Sequence, residues 1–256
     1  MNVVASIQAR MNSQRFPGKV LKIIEKKPII QWQIERLKKS KFINKIVVAT
    51  TTSKKDDKLY NFCKKKLGVE VYRGSEKDVL KRVTHVVQKY KADLHIECFG
   101  DSPLVDPMII DNFIKFFKKN KYDFVSNTLE TTYPPGSEIL VYKGSSLIEL
   151  DNIVPREDPL REHVGFNFTR YKKKFLLKNL KAPKKYFYPN IYLEIDRPID
   201  LKFINIIFSY FTKKNINFFT LGMILSFLKK NKKLSKINSK VLRRWKKLKE
   251  INEKKV

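Results

Sequence analysis

The chain is short of glycine, cysteine, histidine and acid. Its 256 residues include 8 Gly, 2 Cys and 3 His, and 25 Asp and Glu stand against 55 Lys and Arg. None of the glycines falls in a G-x-x-x-x-G-K or G-x-G-x-x-G spacing, which removes the readings as a P-loop kinase and as a dinucleotide-dependent dehydrogenase. Cys63 and Cys98 make neither a disulfide framework nor a metal-ligand pair, as expected of a reducing cytoplasm. The scattered histidines His85, His95 and His163 argue against a zinc site, and no Ser/His/Asp or Cys/His set is legible. Long apolar runs are missing too: the stretch 203–211 is too short to span a bilayer and contains Asn205 and Ser209. No amino-terminal segment has the charged, apolar, small-residue order of a signal peptide. A soluble, cytoplasmic, globular protein is expected.

What is abundant is positive charge, +30 overall. Residues 229–256 carry a net +11, leaving +19 spread over residues 1–228. A large first domain, 1–228, and a Lys-rich helical extension, 229–256, are the expected organisation. Lysine outnumbers arginine and Ile and Asn are plentiful, a composition that follows from AT-rich codon usage. The diffuse field attracts anionic substrates and, weakly, polyanions, with no specific nucleic-acid partner implied.

The most informative stretch is IQARMNSQRFPGKV, residues 7–20. Val3, Val4, Ala5, Ile7 and Ala9 read as a strand covered on both faces. Asn12, Ser13, Pro17 and Gly18 then break the pattern into a loop holding Arg10, Arg15 and Lys19. A loop at the carboxyl end of a strand is where open α/β sheets place ligands, and Arg forks with a Lys charge suit a polyphosphate; a solvated basic loop is the plain alternative.

Short apolar runs and helical periodicities alternate from there on. Helices are expected over 28–39, 56–66 and 76–90, and strands over 45–50, 69–72 and 93–99, hence βαβ units and a mainly parallel sheet. Asp106 before Pro107 reads as an N-cap, followed by a helix with Ile109, Ile110, Phe113 and Phe116/Phe117 on its buried face. Further strands are expected over 122–126, 138–142, 175–180 and 191–195, and helices through Ile199–Tyr210 and Phe219–Leu228. The Lys-rich end, with Leu234, Ile237, Val241, Leu242 and Trp245, is expected to be an amphipathic helix packed on the body. The aromatic loop NTLETTYPPG, 127–136, is longer than a simple connection and reads as functional.

Asp101 follows a strand and a glycine, at the same sheet edge as the Arg10–Lys19 loop, and is either a Mg²⁺-holding carboxylate beside phosphates or a turn former. Asp196, just past another strand, is either a second such carboxylate or part of a helix start before Pro198. Arg161, Glu162 and His163 form a compact charged cluster that either binds an acidic or polyhydroxylated substrate or is an ion-paired surface; His163 could act as a general base.

Several motifs occur in one order: IQARMNSQRFPGKVL, VVATTT, RGSEKDVLKR, GDSPLVDP, SNTLETTYPPG, REHV and EIDRPIDL. In this the chain resembles the spore-coat polysaccharide synthesis protein F group, related to the CMP-KDO and acylneuraminate cytidylyltransferases, over residues 1–215. The resemblance implies a Rossmann-like nucleotide-diphospho-sugar transferase fold, a mixed, mainly parallel sheet sandwiched by helices, and a homodimer. It implies transfer of CMP from CTP to an acidic sugar with release of pyrophosphate, in surface polysaccharide or glycoconjugate synthesis. Nucleotide would be bound by Ala9, Arg10, Ser13, Arg15, Lys19, Ser75 and Arg82, with Arg10, Lys19 and Asp101 catalytic. Mg²⁺ would be held by Asp101 and Asp196. The sugar would meet Asn127, Tyr133, Arg161, Glu162 and His163. Two departures stand out. The group usually has Thr before the glycine of its G-D motif and a basic residue two positions earlier, where this chain has Phe99 and Glu97. An acidic–aliphatic–acidic pattern after Gly136 is replaced by Ser137, Glu138, Ile139 and Leu140. Other readings are a uridylyl- or other sugar nucleotidylyltransferase, a catalytically idle relative, and a non-enzymatic polyanion-binding protein.

Overall fold

Val3–Gln8 form β1, buried over its first five residues because its apolar side chains leave in both directions. The computed structural model describes residues 1–243, 245 and 246. After β1 come a small hairpin, β2 (Ile23–Ile24) and β3 (Lys27–Pro28), and helix α1 (Ile29–Leu37). Strand β4 (Lys45–Thr51) leads through α2 (Asp57–Asn61) and a single wide turn, Phe62–Lys66, to β5 (Glu70–Gly74). Helix α3 (Val79–Lys89) then crosses back to β6 (Leu94–Phe99), and α4 (Pro107–Lys118) leads to β7 (Phe124–Ser126). The chain continues through β8 (Leu140–Lys143), α5 (Gly144–Ile153), α6 (Val164–Arg170) and β9 (Leu177–Asn179) to α7 (Pro198–Lys213) and α8 (Leu221–Lys230).

The strands form one seven-stranded sheet in the order β5-β4-β1-β6-β8-β7-β9. The β1–β4, β1–β6, β4–β5 and β7–β9 pairs are parallel, whereas β8 runs antiparallel to both β6 and β7. This is the expected mixed, mainly parallel α/β sheet. One face packs Val3, Ala5 and Ile7 against α1, α4, α7 and α8. The other packs Val4, Val47, Phe124 and Tyr142 against α3, α5 and α6. The chain order reverses on either side of β1, so the carboxyl ends of β1 and β6 open a crevice between them.

Two expected elements differ. Residues 191–195 join no ladder and bend at Glu194: Leu193 donates its N–H to Pro135 O (2.6 Å) and Ile195 to Asp101 O (2.9 Å), so loops consume the donors a strand would offer. The expected basic helix at the chain end is absent over 231–243, where turns and a short Leu234–Lys236 helical turn stand instead. Leu242, expected on its buried face, is 89% exposed. Residues 244 and 247–256 of that expected helix lie outside the described residues. Helix α3 begins at Val79 rather than 76, since the Asp78 side chain caps it by accepting from Lys81 N (2.9 Å). Asp106 is an N-cap as expected, accepting from Met108 N (2.9 Å). Among the described residues no helix is long and apolar enough to cross a membrane.

Candidate active site

The loop after β1 is pinned before it presents its cations. Met11 O accepts the N–H groups of Ser13 (3.0 Å) and Gly18 (2.9 Å), and Gly18 takes the left-handed conformation (φ 67°) that lets the chain turn. Met11 N–H goes to the buried carboxylate of Asp56 (2.6 Å). Lys19 emerges into the crevice and donates from Nζ to Asp101 Oδ2 (2.6 Å), Ile195 O (2.9 Å) and Asp196 Oδ1 (3.2 Å). Arg15 Nη2 meets the same Asp196 Oδ1 at 2.8 Å. Burial pulls the Lys19 pKa down, but Asp101 and Asp196 outweigh it, so the ammonium titrates above its usual value. Burial likewise pushes Asp196 up, and Lys19 and Arg15 reverse this, holding the carboxyl below its usual range.

This cluster lines a cavity of about 1290 Å³. Ala9, Arg10, Ser13, Arg15, Lys19, Arg82, Asp101, Asn127, Tyr133, Glu162, His163 and Asp196 all line it. Ser75 and Arg161 are not on its lining. Ser75 is exposed, its Oγ accepting from Asp78 N (3.0 Å) and its carbonyl from Arg82 Nη1 (2.6 Å). Arg161 is buried behind the cavity wall, where it pairs with Asp78 (2.9 Å) and Asp151 and donates to Val154 O. It ties α3 to α5. Arg10 reaches Glu162 Oε1 (3.0 Å) across the crevice, and Arg82 gives Nη2 to Gln8 Oε1 (2.9 Å). Asn127 spends its amide on its own loop, donating to Ser137 O and accepting from Ile139 N, 2.9 Å each. Tyr133 is wedged between Phe113 and Tyr186.

Besides Glu76, which accepts from Asn12 (3.2 Å), three further carboxyls on the lining are not among the site residues expected from sequence. Glu97 lines the cavity, with Oε2 accepting from Tyr142 OH (2.7 Å); burial drives its pKa up to about 7 against the opposing pull of Tyr142 and Arg82. Glu138 accepts from Gly136 N with both oxygens at 2.9 Å, and burial pushes it up. Glu194 accepts from Trp245 Nε1 (2.9 Å) and is raised well above the carboxylate range by burial, then by Glu138, Asp196 and Asp101. A sequence signal existed: single acids interrupt the apolar runs SEILVY and IYLEI. The two departures noted above meet at one point. Glu97 pairs in register with Leu140 across β6 and β8, so an acid faces an aliphatic residue, and Tyr142 supplies its hydrogen bond.

Among the described residues no group of three His, Cys, Asp or Glu can hold a metal by itself. Mg²⁺ needs only one or two protein carboxylates when phosphate and water supply the rest. Asp101 and Asp196 converge from two elements on the single Lys19 ammonium, so their oxygens already surround one cation-sized position. The donor set fits.

The family model described as Cytidylyltransferase matches residues 4–224. The chain belongs to this family. It is 32% identical to the spore coat polysaccharide biosynthesis protein SpsF of Bacillus subtilis, over 81% of this chain and 86% of that one. A solved cytidylyltransferase structure from Leptospira borgpetersenii superposes with a TM-score of 0.85 at 31% identity, covering 95% of this chain and all of the other. The 8-amino-3,8-dideoxy-manno-octulosonate cytidylyltransferase of Shewanella amazonensis is 35% identical over 129 residues, about half of each chain. The ordered motifs thus identified the right family, and the α/β fold and nucleotidyltransferase class they imply hold.

Proposed function

We propose that the protein transfers CMP from CTP to an acidic sugar, releasing pyrophosphate, as a step in surface polysaccharide synthesis. The observation that carries this reading is the Lys19–Asp101–Asp196–Arg15 cluster on the wall of a cavity large enough for a nucleotide and a sugar together. A sugar hydroxyl attacks the α-phosphorus; the new O–P bond forms as the bond to the β-phosphate oxygen breaks, and the hydroxyl proton leaves to solvent or a nearby carboxylate. Lys19, Arg15 and Arg10 face the charge gathered on the phosphates, a preorganised electrostatic role. Asp101 and Asp196 would hold Mg²⁺, which supplies charge neutralisation and orientation of the phosphates when bound. The nucleotide end comprises Ala9, Arg10, Ser13 and Arg82, and the sugar end the 127–136 loop with Glu162 and His163. The names of SpsF and of the Shewanella enzyme support a polysaccharide setting and an acidic acceptor. The family resemblance supports a homodimer, and two free, buried cysteines accord with work in the cytoplasm.

The test is thermal stability with CTP, UTP, GTP or ATP, with and without Mg²⁺, for wild type and Asp101→Ala. At a hundred times its dissociation constant a ligand adds ~2.7 kcal/mol. The expected result is a Mg²⁺-dependent rise for CTP alone, lost in Asp101→Ala. An equal rise for every nucleotide, indifferent to Asp101, would overturn the site assignment in favour of polyanion binding.

A further inference from the structure

The carboxy-terminal segment lies beyond the matched residues 4–224, yet it folds back onto the cavity. Its anchor is Asp200, fully buried in the first turn of α7. Asp200 Oδ1 accepts from Asn238 Nδ2 (2.8 Å) and Arg243 Nη2 (2.7 Å), and Oδ2 accepts from Arg243 Nη1 (3.1 Å). The same Oδ2 takes the backbone N–H groups of Asp196 (2.9 Å) and Arg197 (2.8 Å). One carboxylate thus ties the terminal segment to the turn that carries Asp196. Arg243 also stacks over the Tyr192 ring, and Lys246 Nζ reaches Tyr192 OH at 2.5 Å. Between these two cations Trp245 enters the cavity wall, with Nε1 donating to Glu194 Oε1.

We propose that this segment completes the sugar subsite, with Trp245 as its aromatic wall, held in place by Glu194 and by the Arg243–Asp200 anchor. The chemistry is that of an amphipathic sugar ring. An indole offers an apolar face to the ring C–H groups, while Glu194 and Glu138 beside it take up hydroxyls. This tryptophan lines the same cavity as the two acids and Tyr133, and is hydrogen-bonded to one of those acids, Glu194. The proposal rests on the reading of the cavity as a cytidylyltransferase site.

Trp32 and Trp245 are the two tryptophans, so Trp32→Phe leaves Trp245 as the sole indole reporter. Acrylamide quenching is measured on that variant with α,β-methylene-CTP, which cannot release pyrophosphate, and then with KDO or 8-amino-3,8-dideoxy-manno-octulosonate. At least one of the two acids is expected to reduce quenching of Trp245 about twofold or more by covering the ring. With the acid that is turned over, Trp245→Ala is expected to raise KM roughly tenfold or more while the dissociation constant for CTP stays within about twofold; Trp245→Phe, keeping an aromatic face, loses less. Indifference of Trp245 to both acids, or a loss of CTP affinity equal to the loss in KM, overturns the proposal. Absence of any CTP-dependent stabilisation is a failure of the enzymatic reading instead, and protection of Trp245 from acrylamide by the acids alone then decides whether it faces a sugar site.

Discussion

Lys19 keeps its charge at a nearly buried position because Asp101 and Asp196 both accept from it, and the buried Asp196 is in turn tolerable beside Lys19 and Arg15. The reverse situation holds at Glu97, whose carboxyl is buried opposite Leu140 with Tyr142 as its donor. Burial raises its pKa from 4.5 to about 7. Between those values the native protein retains a proton that the unfolded chain releases, so this residue makes stability fall as pH rises through that window and level off above it. Glu97→Gln keeps an acceptor for Tyr142 and removes the titration. Its stability relative to wild type should therefore improve by up to ~3 kcal/mol between about pH 5 and pH 8, as read by urea denaturation at both. A difference that does not change with pH would mean that Glu97 titrates normally. At this scale the sequence was legible where unusual residue types stand in a loop, as at Arg10, Arg15, Lys19 and Asp101, which the structure brings to one cavity. It misled at Arg161, since adjacency to Glu162 and His163 in the chain says nothing about which way a side chain turns, and the guanidinium goes to Asp78 and Asp151.

The elements that build the site are mostly irregular. The segment 191–195 threads between the 127–136 loop and the Asp101 turn, giving its N–H groups to each, and so carries Glu194 and Asp196 into the crevice. Its short apolar run reads as a strand, and only the identity of its neighbours makes it a crossing segment. The close approach is made possible by Gly136, at φ 96°, where an added Cβ would lie 2.4 Å from Glu194 N and Leu193 C. Both obstacles are backbone, so Gly136→Ala must push the two segments apart. We expect a loss of ~3 kcal/mol or more in thermal unfolding, and red-shifted Trp245 emission in the Trp32→Phe background as Glu194 moves away. A fully stable variant with unchanged emission would show that the segments can part without cost. Helix α4 was legible because its cap, Asp106, stands directly before apolar periodicity; α3 was legible from its periodicity alone, and the capping role of Asp78 trims its expected start by three residues.

Over the whole molecule, a net +30 surrounds a crevice that itself gathers Arg10, Arg15, Lys19 and Arg82. Such a field raises the local concentration of a polyanionic nucleotide, and salt screens it. Raising NaCl from about 0.05 to about 0.5 M should weaken CTP binding by roughly threefold or more and leave the uncharged nucleoside cytidine unaffected, both measured by calorimetry. Equal loss for the two ligands would place the salt effect on the fold rather than on the phosphates. The sheet order explains why the crevice lies where it does: β4 and β5 are laid down on one side of β1, then α3 carries the chain back to place β6 on the other. The resulting gap receives the loop after β1 and the turn after β6 side by side.

The sequence by itself determined the α/β class, the family, and the loop and G-D turn that line the cavity, because these depend on local periodicity and on residue types at short spacing. Tertiary structure alone decided which carboxyls share a wall, that Arg161 and Ser75 stand off the cavity, and that Trp245 enters it. Those outcomes turn on contacts between residues far apart in the chain, such as Lys19 with Asp196 and Trp245 with Glu194, and on burial, which sets whether a carboxyl such as Glu97 is charged.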